Sequence, residues 1–515
     1  MGVERAHETM LRDRARVRSS VVQEADGHTT DDVVLDHGAG GSGMARRAAV
    51  GSAQLGTSLL ISWMLGLVGR LFVPNLLGRD RFGELALYES VAAIVMSVVG
   101  FGLGSYIQKE VAVRPDHAAE FATPLGRLRL GAGLLLSVGV ASVFWAARDV
   151  EAGVVALLFC LAYLALTLGS TNQSFLSAIQ RLGAASASGV VAKVVWFVVL
   201  IVGLSVEPLL VIVPTALLLS ETLRTVWLGR SLHRYFQPDR RAPVGNAVRV
   251  IKKSSPYYVN TLNVVFMSYS VPVILSVGAG VGATGLFSAA AVIQGIPLLL
   301  TPVMLSVLTP VLSKLRNLDE ALMWSRVRAL LDHVMVPLAA LGVAVFGMSE
   351  LMVGLLLRKS EFTPAVAAFS WMGLAIPATY LAMMMACAFV CDNRGWQNTR
   401  INATTMVVVV VGVVAVATLA DAPAGTVAAG AAAVLAAGEW ITVAWLLLAR
   451  RPGRLSAATT LKLVALVAGA VVIGVGRWGA ELAWMRYAGV ALAVVIAVTE
   501  LPRLARFVRT LLGER

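Results

Sequence analysis

From about residue 53 to residue 502 the chain is a train of apolar stretches, each about as long as a lipid bilayer is thick. A helix of roughly 20 apolar residues spans the ~30 Å hydrocarbon core. It does so because helix formation satisfies every backbone N–H and C=O internally where no water is available. Hydrophobic residues make up 57% of the 515 and charged residues 14%, with a mean hydropathy of +0.77. A soluble chain of this length has no core large enough to hide that much apolar surface. The fold class is therefore an all-α polytopic membrane protein.

Charged residues and Pro/Gly punctuation divide the train into fourteen spans: 53–74, 84–107, 124–146, 152–176, 185–204, 207–228, 256–277, 283–308, 329–347, 364–388, 401–420, 425–449, 460–476 and 484–502. Lys and Arg crowd the loops on one side, including Lys109, Arg127, Arg129, Arg181, Lys252, Lys253, Lys314, Arg394 and Arg400. The other side holds few, such as Arg79, Arg148 and Arg358. The bias is about three to one and places both termini in the cytoplasm, in a multi-pass protein of the inner (cytoplasmic) membrane. It also accounts for the net charge of +13 without a nucleic-acid partner.

The spans repeat. A Gly-containing turn on the non-cytoplasmic side leads into the second span at Gly83 and the eighth at Gly285, 202 residues apart. On the cytoplasmic side, Arg181 with Gly183 and Arg394 with Gly395 mark tight turns 212 residues apart, counted glycine to glycine. Six spans per half is an even number, so both halves enter from the same side, as in a parallel duplication. The expected organisation is a polar cytoplasmic tail (1–47), a six-helix bundle (48–228) and a basic linker (229–255). A second, pseudo-symmetric six-helix bundle (256–450) and two further helices with a basic tail (451–515) follow. The tail has the composition of a disordered segment.

Enzymatic energy coupling finds no support. The phosphate-binding pattern G-x-x-x-x-G-K-[ST] is absent, as is HExxH. Cofactors and metals are not expected. Cys387 and Cys391 lie one helical turn apart, but no His accompanies them, and packing is the preferred reading. The informative residues are the polar ones inside spans, where burial is costly unless they meet a partner or water. Lys193 sits near the middle of the fifth span, facing a cavity or snorkelling to its edge. Arg70, near the end of the first span, has Glu89 as a candidate partner. Glu221 and Arg224 stand at i and i+3, the spacing of an ion pair. Asn260 and Asn263 share a face of the seventh span, and Gln294 is near the middle of the eighth; each is a candidate for interhelical bonding or substrate contact. The excess of buried cations in the first half suits an anionic substrate such as a lipid-linked diphosphate.

Four segments carry a resemblance. LLGRDRFGELALYES (76–90), SAIQRLGAASASGVVAKVVWFVVLIVG (177–203), the stretch from IKKSSPYYVN to LTPVLSKL (251–315) and the stretch from LLRKSEFTPAV to NTRINA (356–403) are similar to polysaccharide flippases of the multidrug/oligosaccharidyl-lipid/polysaccharide exporter superfamily. In the third, Pro256 opens the seventh helix and Pro310 closes the eighth. The resemblance implies two six-helix bundles around a V-shaped cavity, two extra C-terminal helices, and alternating access. It further implies translocation of a polyprenyl-diphosphate-linked oligosaccharide to the outer leaflet, with Arg70, Lys193 and Arg224 meeting its acidic groups. The site expected to bind substrate is Arg70, Glu89, Lys193, Arg224, Asn260, Asn263 and Gln294. Partners would be that substrate, membrane lipids and a coupling ion, H+ or Na+, acting on a monomer. The alternative is a cation-coupled small-molecule exporter of the same fold. Helix 1 reads GTSLLISWMLGLVG (56–69) and lacks the early Arg-Asp pair of the peptidoglycan-precursor branch, so a substrate other than lipid II is expected.

Overall fold

The computed structural model describes residues 61–100, 102–113, 118–179, 182–235, 243–418, 422–450, 457–475 and 483–512. The tail expected over 1–47 lies outside them, as do Arg181 and part of the basic linker. Among the described residues the regular structure is helical throughout. The first half holds α1 (Ile61–Leu77), α2 (Arg79–Gly100), α3 (Leu103–Val113), α4 (Ala118–Ala147), α5 (Val150–Ala178), α6 (Leu182–Val206) and α7 (Ile212–Leu232). The connecting α8 is Val244–Lys253. The second half holds α9 (Ser255–Gly278), α10 (Val281–Leu298), α11 (Thr301–Leu318), α12 (Glu320–Gly347) and α13 (Ser349–Leu356). It continues with α14 (Ala365–Cys391), α15 (Gly395–Ala417) and α16 (Ala424–Arg450). Two helices follow, α17 (Ala457–Val475) and α18 (Ala483–Leu512).

Every expected span has its helix. Eleven of the described helices are long and apolar enough to cross a bilayer; α17 is apolar but shorter, and of the first expected span residues 53–60 lie outside the described residues, which take up the apolar α1 at Ile61. The sixth expected span, α7, falls outside both groups because it carries Glu221, Arg224 and Arg230. Two spans are broken helices, and they occupy equivalent places. The second span is α2 plus α3, interrupted at Gly102, whose φ of 56° stops the helix. The eighth is α10 plus α11, interrupted at Leu299–Leu300 just after Pro297. Pro310 does not close the eighth span as expected. It lies inside α11, which runs on to Leu318.

The duplication is visible in the packing. Within the first half α4 packs on α5, α5 on α7, α6 on α7 and α2 on α5. Within the second, α12 packs on α14, α14 on α16, α15 on α16 and α10 on α14, which is the same set of pairings. The four most buried spans are α2, α5, α10 and α14, the second and fourth of each half. The halves meet where α2 crosses α10. A Cβ on Gly83 would stand 1.9 Å from the Val281 carbonyl oxygen, and one on Gly285 would stand 2.1 Å from that of Arg79. Each glycine therefore rests on the carbonyl four residues before the other, the mark of a local two-fold axis. The turns just before them repeat as well: Gly78 and Gly280 hold φ of 85° and 87°, left-handed values that only glycine adopts readily. By contrast Gly183 and Gly395 have no close neighbour, so that second landmark is not a packing constraint.

Large apolar side chains such as Leu135, Trp145, Val206, Val277 and Val467 are exposed on the periphery, as expected of surfaces that face lipid. The amphipathic α8 buries Ala247 and Val250 against Leu103, Ile107, Val111 and Phe175 of the first half, and leaves Arg249, Lys252 and Lys253 outside. The C-terminal pair α17 and α18 packs on α12 through Val336, Ala340, Val343, Leu466 and Ile473. Lys462 and Glu500 join them by an ion pair.

Candidate functional site

Two cavities, each with polar groups set in a largely apolar lining, lie side by side, separated by α9. On one face of α9, Thr261, Val265 and Tyr269 follow at intervals of four and line a cavity of about 430 Å3 shared with α2, α4 and α5. On another face Asn260, Asn263, Met267 and Ser268 line a second cavity of about 500 Å3, shared with α11, α14, α15 and α16. A helix presents residues three and four apart on one face, so a single span serves both chambers.

The first cavity is bounded by a chain of polar contacts that joins the halves. Arg70 Nη2 of α1 pairs with Glu89 Oε1 of α2 at 3.1 Å. The same carboxylate oxygen accepts from the Tyr163 hydroxyl of α5 at 3.0 Å. That hydroxyl lies 3.3 Å from the Tyr269 hydroxyl of α9, with the two rings edge to face. The cavity wall also holds Arg129, which is 2% exposed. Its guanidinium donates to the Gly100 carbonyl and the Thr171 hydroxyl. The first of these contacts has a clear cause. The break at Gly102 ends α2 and strips the Gly100 carbonyl of its helical partner, and an orphaned carbonyl inside a membrane needs a donor.

Two more cations lie deeper in the first half. Lys193 of α6 stands 5.1 Å over the Trp196 ring one turn on, a cation–π contact. Trp196 packs on the α1 backbone at Gly69, where a Cβ would fall 2.5 Å from its ring. Arg224 pairs with Glu221 at 3.1 Å, so the i, i+3 spacing does form an ion pair, and its second nitrogen donates to Gln173 of α5. Glu221 is 2% exposed. Among the described residues these spans thus hold the cations Arg70, Arg129, Lys193 and Arg224 against the acids Glu89 and Glu221, and of the six only Arg129 lines either cavity.

The second cavity has a different character. Asn260, Asn263, Asn398, Asn402 and Thr379 line it, with Glu439 as the one carboxyl among the described residues. Asn263 donates to the Thr399 carbonyl at 3.3 Å. Asn260 and Asn398 each keep a buried amide oxygen without a partner among the described residues. Gln294 lies apart: it donates to the Met372 carbonyl at 3.2 Å, tying α10 to α14, and lines neither cavity. Cys387 and Cys391 meet the hydroxyls of Thr309 and Ser313 at 3.3 and 3.4 Å. No group of three metal-ligating side chains occurs among the described residues.

Of the expected residues, Arg70 and Glu89 come together, as do Asn260 and Asn263, while Lys193 and Arg224 stand on neighbouring helices. Arg129, Tyr163 and Tyr269 were missed. Arg129 reads as one more loop-edge charge beside Arg127. The two tyrosines, polar-tipped rings at mid-span, were a signal that hydropathy alone overlooks.

The end of the molecule away from the basic loops is sealed. Asn75 near the end of α1 donates to the carbonyls of Leu71 at 2.8 Å and Leu356 at 2.7 Å, and accepts from the Arg358 N–H at 2.8 Å. These bonds, with the Gly83–Gly285 crossing, hold the two halves together there.

Two six-helix halves packed by the same rules, with two added helices, have the fold of solved transporters of the multidrug/oligosaccharidyl-lipid/polysaccharide exporter (MOP) superfamily. Solved structures agree. The lipid II flippase MurJ in an inward closed conformation superposes with a TM-score of 0.63 at 13% identity, over 89% of this chain and 99% of that one. An inward-facing multidrug resistance MATE family transporter gives 0.57 at 14% identity, over 75% and 94%. An outward-facing MATE family transporter gives 0.53 at 15% identity, over 78% and 95%. No curated relative matches. The polysaccharide biosynthesis protein family matches residues 49–316, just over half of the sequence, and the chain belongs to that family.

Proposed function

We propose that this membrane transporter is a flippase that carries a polyprenyl-diphosphate-linked oligosaccharide from the inner to the outer leaflet by alternating access, for assembly of a cell-surface polysaccharide. The observation that carries the proposal is the charge of the first half: among the described residues the spans hold the cations Arg70, Arg129, Lys193 and Arg224 against the acids Glu89 and Glu221, and Arg129 lines the cavity itself. An excess positive charge held in the membrane interior is costly unless an anion balances it, and a diphosphate is such an anion. A cavity of this sign repels the cations that a drug exporter would carry.

In this reading the basic end faces the cytoplasm and the sealed end, latched by Asn75, faces outward. The head group enters between the halves and meets Arg129 and Arg70, while the lipid tail stays in the bilayer. Release of the latch and rotation about the α2–α10 crossing expose the cavity to the other side, and preference of the substrate for each state sets the direction. Lys193 and Arg224 supply the longer-range positive field, and a coupling ion, H+ or Na+, drives the return.

The test is a deletion strain. Loss of a surface glycan with accumulation of its lipid-linked intermediate in the inner leaflet is the expected result. Intact surface polysaccharide with drug hypersensitivity would overturn the proposal in favour of a cation-coupled exporter. Lys193→Ala should impair translocation while the protein remains folded.

A further inference from the structure

We infer that the cavity of the second half is a binding site for the uncharged sugar rings of the same substrate, an inference that rests on the flippase reading above. Among the described residues the lining of about 500 Å3 contains no Lys, Arg or His to neutralise a diphosphate. Apart from the carboxyl of Glu439 and the thiol of Cys387, its polar groups are amides and hydroxyls, which are donors and acceptors without charge. They form two facing ladders: Asn260 and Asn263 on α9, and Asn398, Asn402 and Thr405 on α15.

Asn398 is 4% exposed and its amide oxygen has no partner among the described residues; the Asn260 oxygen is in the same condition. A buried acceptor left unpaired is costly. Both residues belong to the lining of one chamber, and a ligand that brings donors there can relieve the deficit once either amide turns toward it. Sugar hydroxyls are such donors, and neighbouring hydroxyls on a ring match the paired donor and acceptor of an amide. In the same lining Met267, Leu305, Met383 and Val390 offer apolar surface to the C–H faces of a ring. The volume lies in the range of roughly 300–1,000 Å3 typical of small-molecule sites.

The placement matters as much as the chemistry. A single helix, α9, separates this chamber from the cationic one, with Thr261, Val265 and Tyr269 on one side and Asn260 and Asn263 on the other. A substrate whose anionic link sits by Arg129 reaches the amide chamber with the sugars that follow. The two halves, alike in fold, have divided recognition by charge.

The test places a photo-cross-linker in each chamber of the full-length protein in its own cells: Met383→p-benzoylphenylalanine in the second and Thr167→p-benzoylphenylalanine in the first. Adducts are digested and weighed. Lipid-linked glycan captured at both positions, with neutral hexose or hexosamine residues at Met383, is the expected result. Asn398→Leu should then lower capture at Met383 at least tenfold. Capture at Thr167 in the same variant should persist, which shows that the protein is folded. Capture at Thr167 alone, or an adduct at Met383 that carries phosphate or acidic sugars, overturns this inference and leaves the flippase reading standing. Capture at neither position overturns both. Sodium-dependent thermal stabilisation that disappears in Asn398→Leu, with no sugar adduct at Met383, would make the chamber a cation site instead.

Discussion

The crossing of α2 and α10 makes a quantitative prediction about how the halves are joined. In Gly83→Ala the new methyl would lie 1.9 Å from the Val281 carbonyl oxygen and 2.9 Å from the Gly285 nitrogen. Both obstacles are backbone, so no side chain can rotate away. To restore ordinary contact near 3.4 Å the helices must separate by about 1.5 Å, which strips dispersion contacts from side chains packed along both. Overpacking of this kind costs about 1–3 kcal/mol, and a backbone obstacle belongs at the upper end. Gly285→Ala meets the Arg79 carbonyl oxygen at 2.1 Å and should cost nearly as much. Because one separation relieves both clashes, the double variant should lose well under the sum of the two, by a coupling of about 1 kcal/mol or more. Gly139→Ala in α4, where nothing lies within 4 Å of the new methyl, is the control. It should be neutral, or stabilising by up to about 1 kcal/mol through helix propensity. Equilibrium unfolding of the four variants in one detergent measures all of this. Additive losses at Gly83 and Gly285, or a Gly83→Ala protein as stable as the control, would refute the two-fold crossing.

Three further predictions concern single side chains. Asn75→Ala removes three hydrogen bonds, two of them to the 356–358 segment; at about 1 kcal/mol each, the seal should loosen and exchange of the Arg358 amide should accelerate by about one to two orders of magnitude. Arg129→Ala leaves the Gly100 carbonyl without its donor and should destabilise by about 2–3 kcal/mol in thermal or denaturant unfolding, since bonds from charged donors are the strong ones. Asp392, 4% exposed, accepts from Arg316 at 2.7 Å, Arg394 at 3.0 Å and Trp324 at 3.2 Å. Asp392→Asn should cost about 3 kcal/mol, seen as a lower unfolding midpoint, whereas Asp392→Glu should recover part of the loss.

Much of this molecule can be read along one dimension. The fourteen spans follow from hydropathy, because a bilayer demands a run of apolar residues of nearly constant length whatever the neighbours are. The duplication is legible at Gly83 and Gly285 because only glycine tolerates backbone at such close range, so a packing constraint left a mark on the sequence itself. The i, i+3 spacing of Glu221 and Arg224 is local and needs no tertiary information to become a pair.

What the tertiary structure alone decided is the rotation of each helix about its axis. Rotation depends on the packing of all neighbours at once and leaves no periodic trace when almost every position in a span is apolar. That is why Gln294 proved to be an interhelical tie, why Arg129 moved from a loop edge to a cavity wall, and why Tyr163 and Tyr269 met across the halves. The breaks at Gly102 and Leu299–Leu300 were equally hidden, since an apolar run reads as continuous whether or not its hydrogen bonds are. The sequence determined that this is a duplicated bundle of membrane helices with a cationic first half. The fold decided that α9 stands between a chamber walled by Arg129 and one lined by amides, hydroxyls and Glu439, because only three-dimensional packing says which face of a helix looks where.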